Sequence, residues 1–207
     1  KVLDADGKEC KAGKLGNLVI KLPLPPSCLM GIWNDDVRYQ KSYLDFYKGY
    51  YLTGDSGYID KDGYVWVMGR MDGVINVAGH RLSTGEMEEV VGKHPDVAEC
   101  AVIGIDDELK GEVPMGFVVL KEGIERDPES LIDGVVQLVR EEIGAVASFK
   151  IATIVNKLPK TRSGKILRGT MRSMADGKAW NMPSTIEDQS VLPEIEEAIK
   201  KLGYPKK

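Results

Sequence analysis

Ser83-Thr84-Gly85-Glu86-Met87-Glu88-Glu89-Val90-Val91, followed after a polar connection by Val97-Ala98-Glu99-Cys100-Ala101-Val102-Ile103-Gly104-Ile105, is the stretch on which the fold turns. Ser83 and Glu86 have the spacing of a capping box, in which the serine oxygen accepts an N–H of the first helical turn. Met87, Val90 and Val91 then share one helical face. Val97 to Ile105 is apolar almost throughout, the mark of a buried strand. A helix leading straight into a buried strand predicts layered α/β structure.

Working outward, Val113 to Leu120 reads as a second apolar strand. Asp127-Pro128 is an N-cap and first-turn pair for a helix carrying Leu131, Val135, Leu138 and Val139, with Gly144 ending it. Phe149 to Val155 is a third strand, Lys157 to Gly164 a polar loop, and Lys165 onward helical. Pro193 to Leu202 is a closing helix, with Ile195, Ile199 and Leu202 in register. Toward the N-terminus the texture differs. Asn17–Leu22, Tyr50–Gly54, Gly57–Asp60 and Tyr64–Gly69 read as short strands, and Lys61-Asp62-Gly63 as a hairpin turn. The fold class expected is mixed α/β (α+β). A small β-barrel-like subdomain, residues 1–71, precedes a compact α/β domain, residues 72–207, with a mixed sheet and flanking helices. The boundary falls between Gly69 and Val74.

The chain has 207 residues and a formal net charge of −4, so any anion site must be local. Cys10, Cys28 and Cys100 are sparse and odd in number, which fits a reducing compartment. His80 and His94 form no zinc-type spacing. No apolar run approaches the ~20 residues of a membrane span, and no signal peptide is visible. The chain opens at Lys1 without methionine and reads as a fragment.

Four segments carry chemistry. Thr53-Gly54-Asp55, expected at a strand end before a turn, offers a carboxylate that can accept hydrogen bonds from a vicinal diol, or simply closes an Asx turn. Gly69-Arg70-Met71-Asp72-Gly73 offers a guanidinium fork, or a surface pair of Arg70 with Asp72. Ala78-Gly79-His80-Arg81-Leu82 offers close backbone approach and a cation, or a turn with a solvated arginine. Leu158-Pro159-Lys160-Thr161-Arg162-Ser163-Gly164-Lys165-Ile166 gathers three cations around small residues. It is not a Walker A loop, because Pro159 stands where the first glycine is needed and Ile166 where Ser or Thr is needed. The plainer reading is a basic surface loop, or a nucleic-acid patch extended by Arg168 and Arg172, though without aromatics to stack on bases.

Taken in order, these segments resemble the C-terminal motifs of the acyl-adenylate-forming superfamily: TGD at Thr53, YVWVMGRMDGVINVAGHRLSTGEMEE from Tyr64 and LPKTRSGKILRGTMR from Leu158. GHRL with KTRSGK is similar to the acetyl- and propionyl-CoA synthetase branch. Ala78, where acetyl-CoA synthetases usually have serine, leans toward the propionyl side.

The resemblance implies a set of roles. Asp55 would hold the ATP ribose hydroxyls with Arg70 in support, and Arg81 would sit near phosphate. Lys165 would be the adenylation lysine, a target of lysine acetyltransferase and deacetylase. Ala78 and Gly79 would line the pantetheine path of CoA, and Arg140 would meet its nucleotide phosphate. Asp72 would be the hinge. The carbonyls of Gly92, His94 and Val97 would surround a magnesium ion.

The implied reaction joins a small carboxylate, acetate or propionate, to ATP as an acyl-adenylate and then to CoA, with Mg2+ screening pyrophosphate. The adenylating partner would be an upstream N-terminal domain of the same chain, so this piece alone should not turn over. Nucleic acid and membrane are not expected partners. The compartment expected is the cytoplasm, or the mitochondrial matrix if a targeting segment was removed. The alternatives are another adenylate-forming ligase that loads a carrier protein, and a non-catalytic nucleic-acid or partner-binding module.

Overall fold

The computed structural model describes residues 1–206, and for Asp72 the backbone alone. The chain divides into two compact units, Lys1–Asp72 and Gly73–Lys207.

In the first unit, β1 (Val2–Leu3), β2 (Gly16–Lys21), β3 (Tyr50–Ile59) and β4 (Val65–Arg70) form one antiparallel sheet in chain order. A short helix α1 (Asp36–Tyr39) runs into one π turn between β2 and β3. Leu3, Val19 and Tyr47 make a small core. The Tyr47 hydroxyl accepts from the Asn17 side-chain amide at 2.7 Å and donates to the Asp4 carbonyl at 2.8 Å. The expected barrel-like form is seen as an open sheet with β1 and β4 at its edges. Four strands, the first only two residues long, are too few to close on themselves.

The expected hairpin turn at Lys61–Gly63 is present: Gly63 has φ +88° and donates to Asp60. The expected break at Thr53–Asp55 is not. β3 runs unbroken from Tyr50 to Ile59, and Gly54 absorbs the irregularity at φ +80°. Val65, Trp66, Val67 and Met68 are exposed on both faces of β4.

The second unit is built on a five-stranded mixed sheet. β5 (Val74–Val77) and β6 (His80–Ser83) form a hairpin, as do β7 (Val97–Asp107) and β8 (Gly111–Leu120), and β9 (Ile151–Ile154) runs parallel to β8. The strand order is β6-β5-β8-β7, with β9 on β8. Helices cover both faces. Alternation along the strands decides which side chain goes where. Ala101, Ile103, Ile105, Met115 and Phe117 face α4 (Arg168–Ala175) and α5 (Val191–Lys201), meeting Met171, Leu192, Ile195 and Ile199. Val102 and Val118 face the other way, toward α2 (Thr84–Gly92) and α3 (Pro128–Glu142), meeting Met87, Val90, Leu131, Val135 and Val139. Each such fully buried side chain is worth about 1.5–3 kcal/mol of transfer free energy. Gly116 on β8 is obligatory: a Cβ there would lie 2.6 Å from the Phe149 ring.

The caps fall where expected. Glu86 N–H donates to Ser83 Oγ and Ser130 N–H to Asp127 carboxylate, at 3.4 and 2.9 Å. Lys165 is not helical, contrary to expectation. Ile166 pairs back with Lys160 as extended backbone, so α4 starts only at Arg168.

Candidate functional site

In the first unit, cross-strand register puts Asp55 opposite Arg70. Arg70 Nη1 donates to Asp55 Oδ1 at 3.2 Å. Thr53 Oγ accepts the Asp55 N–H at 3.1 Å and donates to the Leu18 carbonyl at 2.8 Å, which anchors the segment to β2. Gly54 is needed for a second reason, since a Cβ there would lie 2.6 Å from Arg70 Nη2. Thus Thr53, Gly54, Asp55 and Arg70 form one exposed cluster. It presents a carboxylate fixed by a guanidinium, a pair able to grip hydroxyls. The side chain of Asp72, the expected hinge, lies outside the described residues.

In the second unit, Ala78 and Gly79 are the two central residues of the β5–β6 turn, at φ +49° and +87°. Both in the left-handed region make it a type I′ turn, where alanine is strained. The Ala78 N–H donates to the Lys110 carbonyl in the β7–β8 turn, at 2.8 Å. A Cβ on Gly79 would meet nothing within 4 Å, so the turn's outer side is open. Arg81 stands on β6 opposite Asn76 and is half-buried.

Lys110 also lines a cleft of about 420 Å³ with Arg140 and Lys150 as its other cations and Val136, Ala145 and Phe149 among its apolar walls. The Lys110 ammonium donates to Ser148 Oγ at 2.5 Å. Ala78, Gly79 and Arg140, distant in sequence, are therefore joined through Lys110. Sequence reasoning missed Lys110, Ser148 and Lys150, because no periodicity links a β-turn lysine to the end of α3.

The third constellation is the loop before α4. Lys160 pairs with Ile166, and Thr161 with Ile186. Thr161 Oγ accepts the Lys165 N–H at 3.1 Å, and Gly164 turns the chain at φ +81°. Lys165 is exposed at this tip. Among the described residues no carboxylate pairs with its ammonium, nor with Arg162. The other cations are committed. Lys160 pairs with Glu99 at 2.5 Å, Arg168 with Glu88 at 2.8 Å, and Arg172 with Asp106, Glu112 and Asp176. The basic patch extended by Arg168 and Arg172 is thus corrected: both arginines bind this chain's own carboxylates.

Gly92, His94 and Val97 lie at the passage from α2 to β7. The His94 carbonyl already accepts the Val97 N–H at 3.1 Å. Nearby Asp96 is buried, and its Oδ2 lies 3.1 Å from Arg126 without hydrogen-bond geometry. Among the described residues, no three His, Cys, Asp or Glu side chains gather to hold a metal. A cation at this turn would have backbone oxygens as its ligands.

None of the three cysteines is in a disulfide. Burial pushes the Cys100 thiol up to about 11, which makes it a poor nucleophile. No helix among the described residues is long and apolar enough to cross a membrane.

Residues 86–165 match the family model described as AMP-binding enzyme C-terminal domain. An uncharacterised protein of Pseudomonas aeruginosa is 56% identical over 96% of this chain, which spans 32% of that protein. Acyl-CoA synthetase short-chain family member 3, mitochondrial, of Mus musculus is 47% identical over 96% of this chain, which spans 29% of it. Among solved structures, acetoacetyl-CoA synthetase from Streptomyces lividans superposes with a TM-score of 0.82 at 27% identity, covering 97% of this chain and 30% of that one. The chain thus spans about a third of the length of the relatives it matches.

Proposed function

We propose, from the premise that residues 86–165 are an AMP-binding enzyme C-terminal domain, that this chain is the C-terminal part of an AMP-forming short-chain acyl-CoA synthetase. In the first half-reaction a carboxylate oxygen attacks the α-phosphate of ATP, giving acyl-adenylate and pyrophosphate. In the second, the CoA thiol attacks the acyl carbonyl and AMP leaves.

One observation carries this reading. The Lys165 loop is tied to the start of β7 through Glu99, whereas the Ala78-Gly79 turn is tied to its far end through Lys110. Eight residues of strand separate those ends, about 25 Å. A cation and an open backbone turn so far apart on one rigid sheet cannot both face one acyl carbonyl. A domain that presents first one end and then the other resolves this. Asp72, the last residue of the first compact unit, is the hinge in this proposal.

The roles then follow. Lys165, a compact ammonium that no carboxylate pairs among the described residues, neutralises charge as carboxylate and α-phosphate approach. Asp55 accepts from the ATP ribose hydroxyls while Arg70 fixes its carboxylate, and Arg81 lies near phosphate. Gly79 and Ala78 let the pantetheine arm pass. Arg140 meets the CoA nucleotide phosphate.

A divalent cation on the carbonyls of Gly92, His94 and Val97 would be structural, apart from the reacting groups. Mg2+ belongs with the departing pyrophosphate as part of the substrate. The apolar exposure of β4 supports a first unit completed, in barrel-like form, by strands of a larger N-terminal domain. Exposure of Lys165 supports its acetylation as a regulatory mark. The cytoplasm is the proposed compartment; the name of the mouse relative makes the mitochondrial matrix the alternative.

The test is pyrophosphate release by the intact protein containing this chain, with acetate, propionate and butyrate, followed by trapping of the thioester. Release that needs a short carboxylate, with thioester formed on CoA, is expected. Acyl transfer to a carrier protein or amine but not to CoA would replace this reading with another adenylate-forming ligase.

A further inference from the structure

Lys165 can act only if its ammonium is held at a fixed height above the domain, yet it stands on a loop. Backbone bridges from Lys160 to Ile166 and from Thr161 to Ile186 shape the loop itself, but α4, the helix it enters, has no side-chain N-cap. A charged anchor that ties the loop to α2 and β7 lies three residues after Lys165. Arg168, the first residue of α4, meets Glu88 of α2 fork on fork. Its Nε donates to Oε1 at 3.0 Å and its Nη2 to Oε2 at 2.8 Å. Glu88 Oε1 also accepts the Val102 N–H of β7 at 2.8 Å. The Glu88 side chain is only 17% exposed. Three donors on one partly buried carboxylate make this the most completely satisfied ion pair on the loop's flanks. On the other limb, the Lys160 side chain makes a single contact, with half-exposed Glu99, and its carbonyl accepts the Glu187 N–H at 2.9 Å.

We infer that Glu88 and Arg168 are positioning residues for adenylation, setting the place of the Lys165 ammonium from the α2–β7 framework. The inference rests on the proposed role of Lys165. Neither residue touches substrate. A displacement of about 1 Å in a reacting group costs on the order of a hundredfold in rate. Arg168→Lys keeps the charge and loses the fork, which loosens this anchor without leaving an unpaired buried carboxylate. Glu88→Gln keeps an acceptor for Val102 and loses the charge.

The experiment uses the intact protein and measures the half-reactions separately: pyrophosphate release from ATP and carboxylate, and thioester formation from supplied acyl-adenylate and CoA. For Arg168→Lys and Glu88→Gln, kcat of the first should fall at least tenfold with KM for ATP within twofold. The second should stay within twofold, which also certifies the fold. Equal losses in both half-reactions would reduce the pair to a structural brace and overturn the inference, as would no loss in either. Lys165→Ala is run alongside. If it leaves pyrophosphate release intact, the reading of Lys165 itself has failed, and the positioning role falls with it.

Discussion

The two ends of the β7–β8 hairpin present opposite kinds of surface. At one end the instrument is backbone. Ala78 and Gly79 sit in left-handed conformation, the Ala78 N–H is spent on Lys110, and the outer side of the turn is open. At the other end it is a side chain, the exposed ammonium of Lys165, on a loop where Lys160 and Arg168 are paired with carboxylates. A backbone turn discriminates by clearance and suits a thin, uncharged arm. An ammonium discriminates by charge and suits a reaction that brings two anions together. At the turn end, Glu112 of β8 accepts the Asn76 N–H of β5 at 2.7 Å and also binds Arg172 of α4. That pairing ties the turn's strand to the helix that follows the Lys165 loop.

The contrast breaks most sharply at Lys165. Lys165→Ala in the intact protein should lower acyl-adenylate formation by on the order of 10²–10³ while sparing thioester formation from supplied adenylate. Single-turnover assays of each half check this, and equal loss would erase the division of labour. Arg140→Ala should do the reverse, raising KM for CoA about tenfold. KM for dephospho-CoA should hardly move, so an unchanged preference between the two thiols would detach Arg140 from the nucleotide phosphate.

Acid tests the link between the ends. The Lys178 hydrogen bond, and behind it Arg172, hold the Asp106 carboxyl below the usual carboxylate range. Its folded pKa is depressed, so this stabilisation is complete above the unfolded value and is lost as pH falls through the folded one. Asp106→Asn should therefore lower stability near neutrality and flatten its decline below pH ~4, near the unfolded carboxylate value. Urea midpoints at a series of pH values read this; parallel curves for the two proteins would contradict it. The smallest effect belongs to the turn. Ala78→Gly removes left-handed strain at a cost in chain entropy, for a net gain of roughly 0.5 kcal/mol. Thermal midpoints should rise slightly, whereas a fall would mean that the alanine methyl has packing of its own.

Legibility in the sequence followed the range of the interaction. The Ser83 and Asp127 caps, the Lys61–Gly63 turn and the apolar faces of α2 and α3 are local, and they stand where the residues imply. The errors lie where a distant partner decides. Thr53-Gly54-Asp55 carries turn-type residues, but pairing of Leu52 and Ser56 with β2 and of Asp55 with β4 carries the strand through it. Lys165 to Leu167 precedes a helix, but Lys160 recruits Ile166 into a bridge. Arg168 reads as a free cation because its carboxylate lies 80 residues away, and Arg172 has one local partner, Asp176, but its Glu112 partner lies 60 residues away.

By itself, then, the amino-acid sequence determined the alternation of elements in the second unit, while its resemblance to the acyl-adenylate-forming superfamily implied the candidate residues Asp55, Arg70, Gly79, Arg140 and Lys165. Periodicity, capping and residue type act over a few positions and need no partner. Only the tertiary structure decided which cations remain available, that Lys110 joins Arg140 to the Ala78-Gly79 turn, and that this turn and Lys165 occupy opposite ends of one hairpin. Charge neutralisation and separation depend on distances in space, and chain spacing does not encode those until the sheet has set its register.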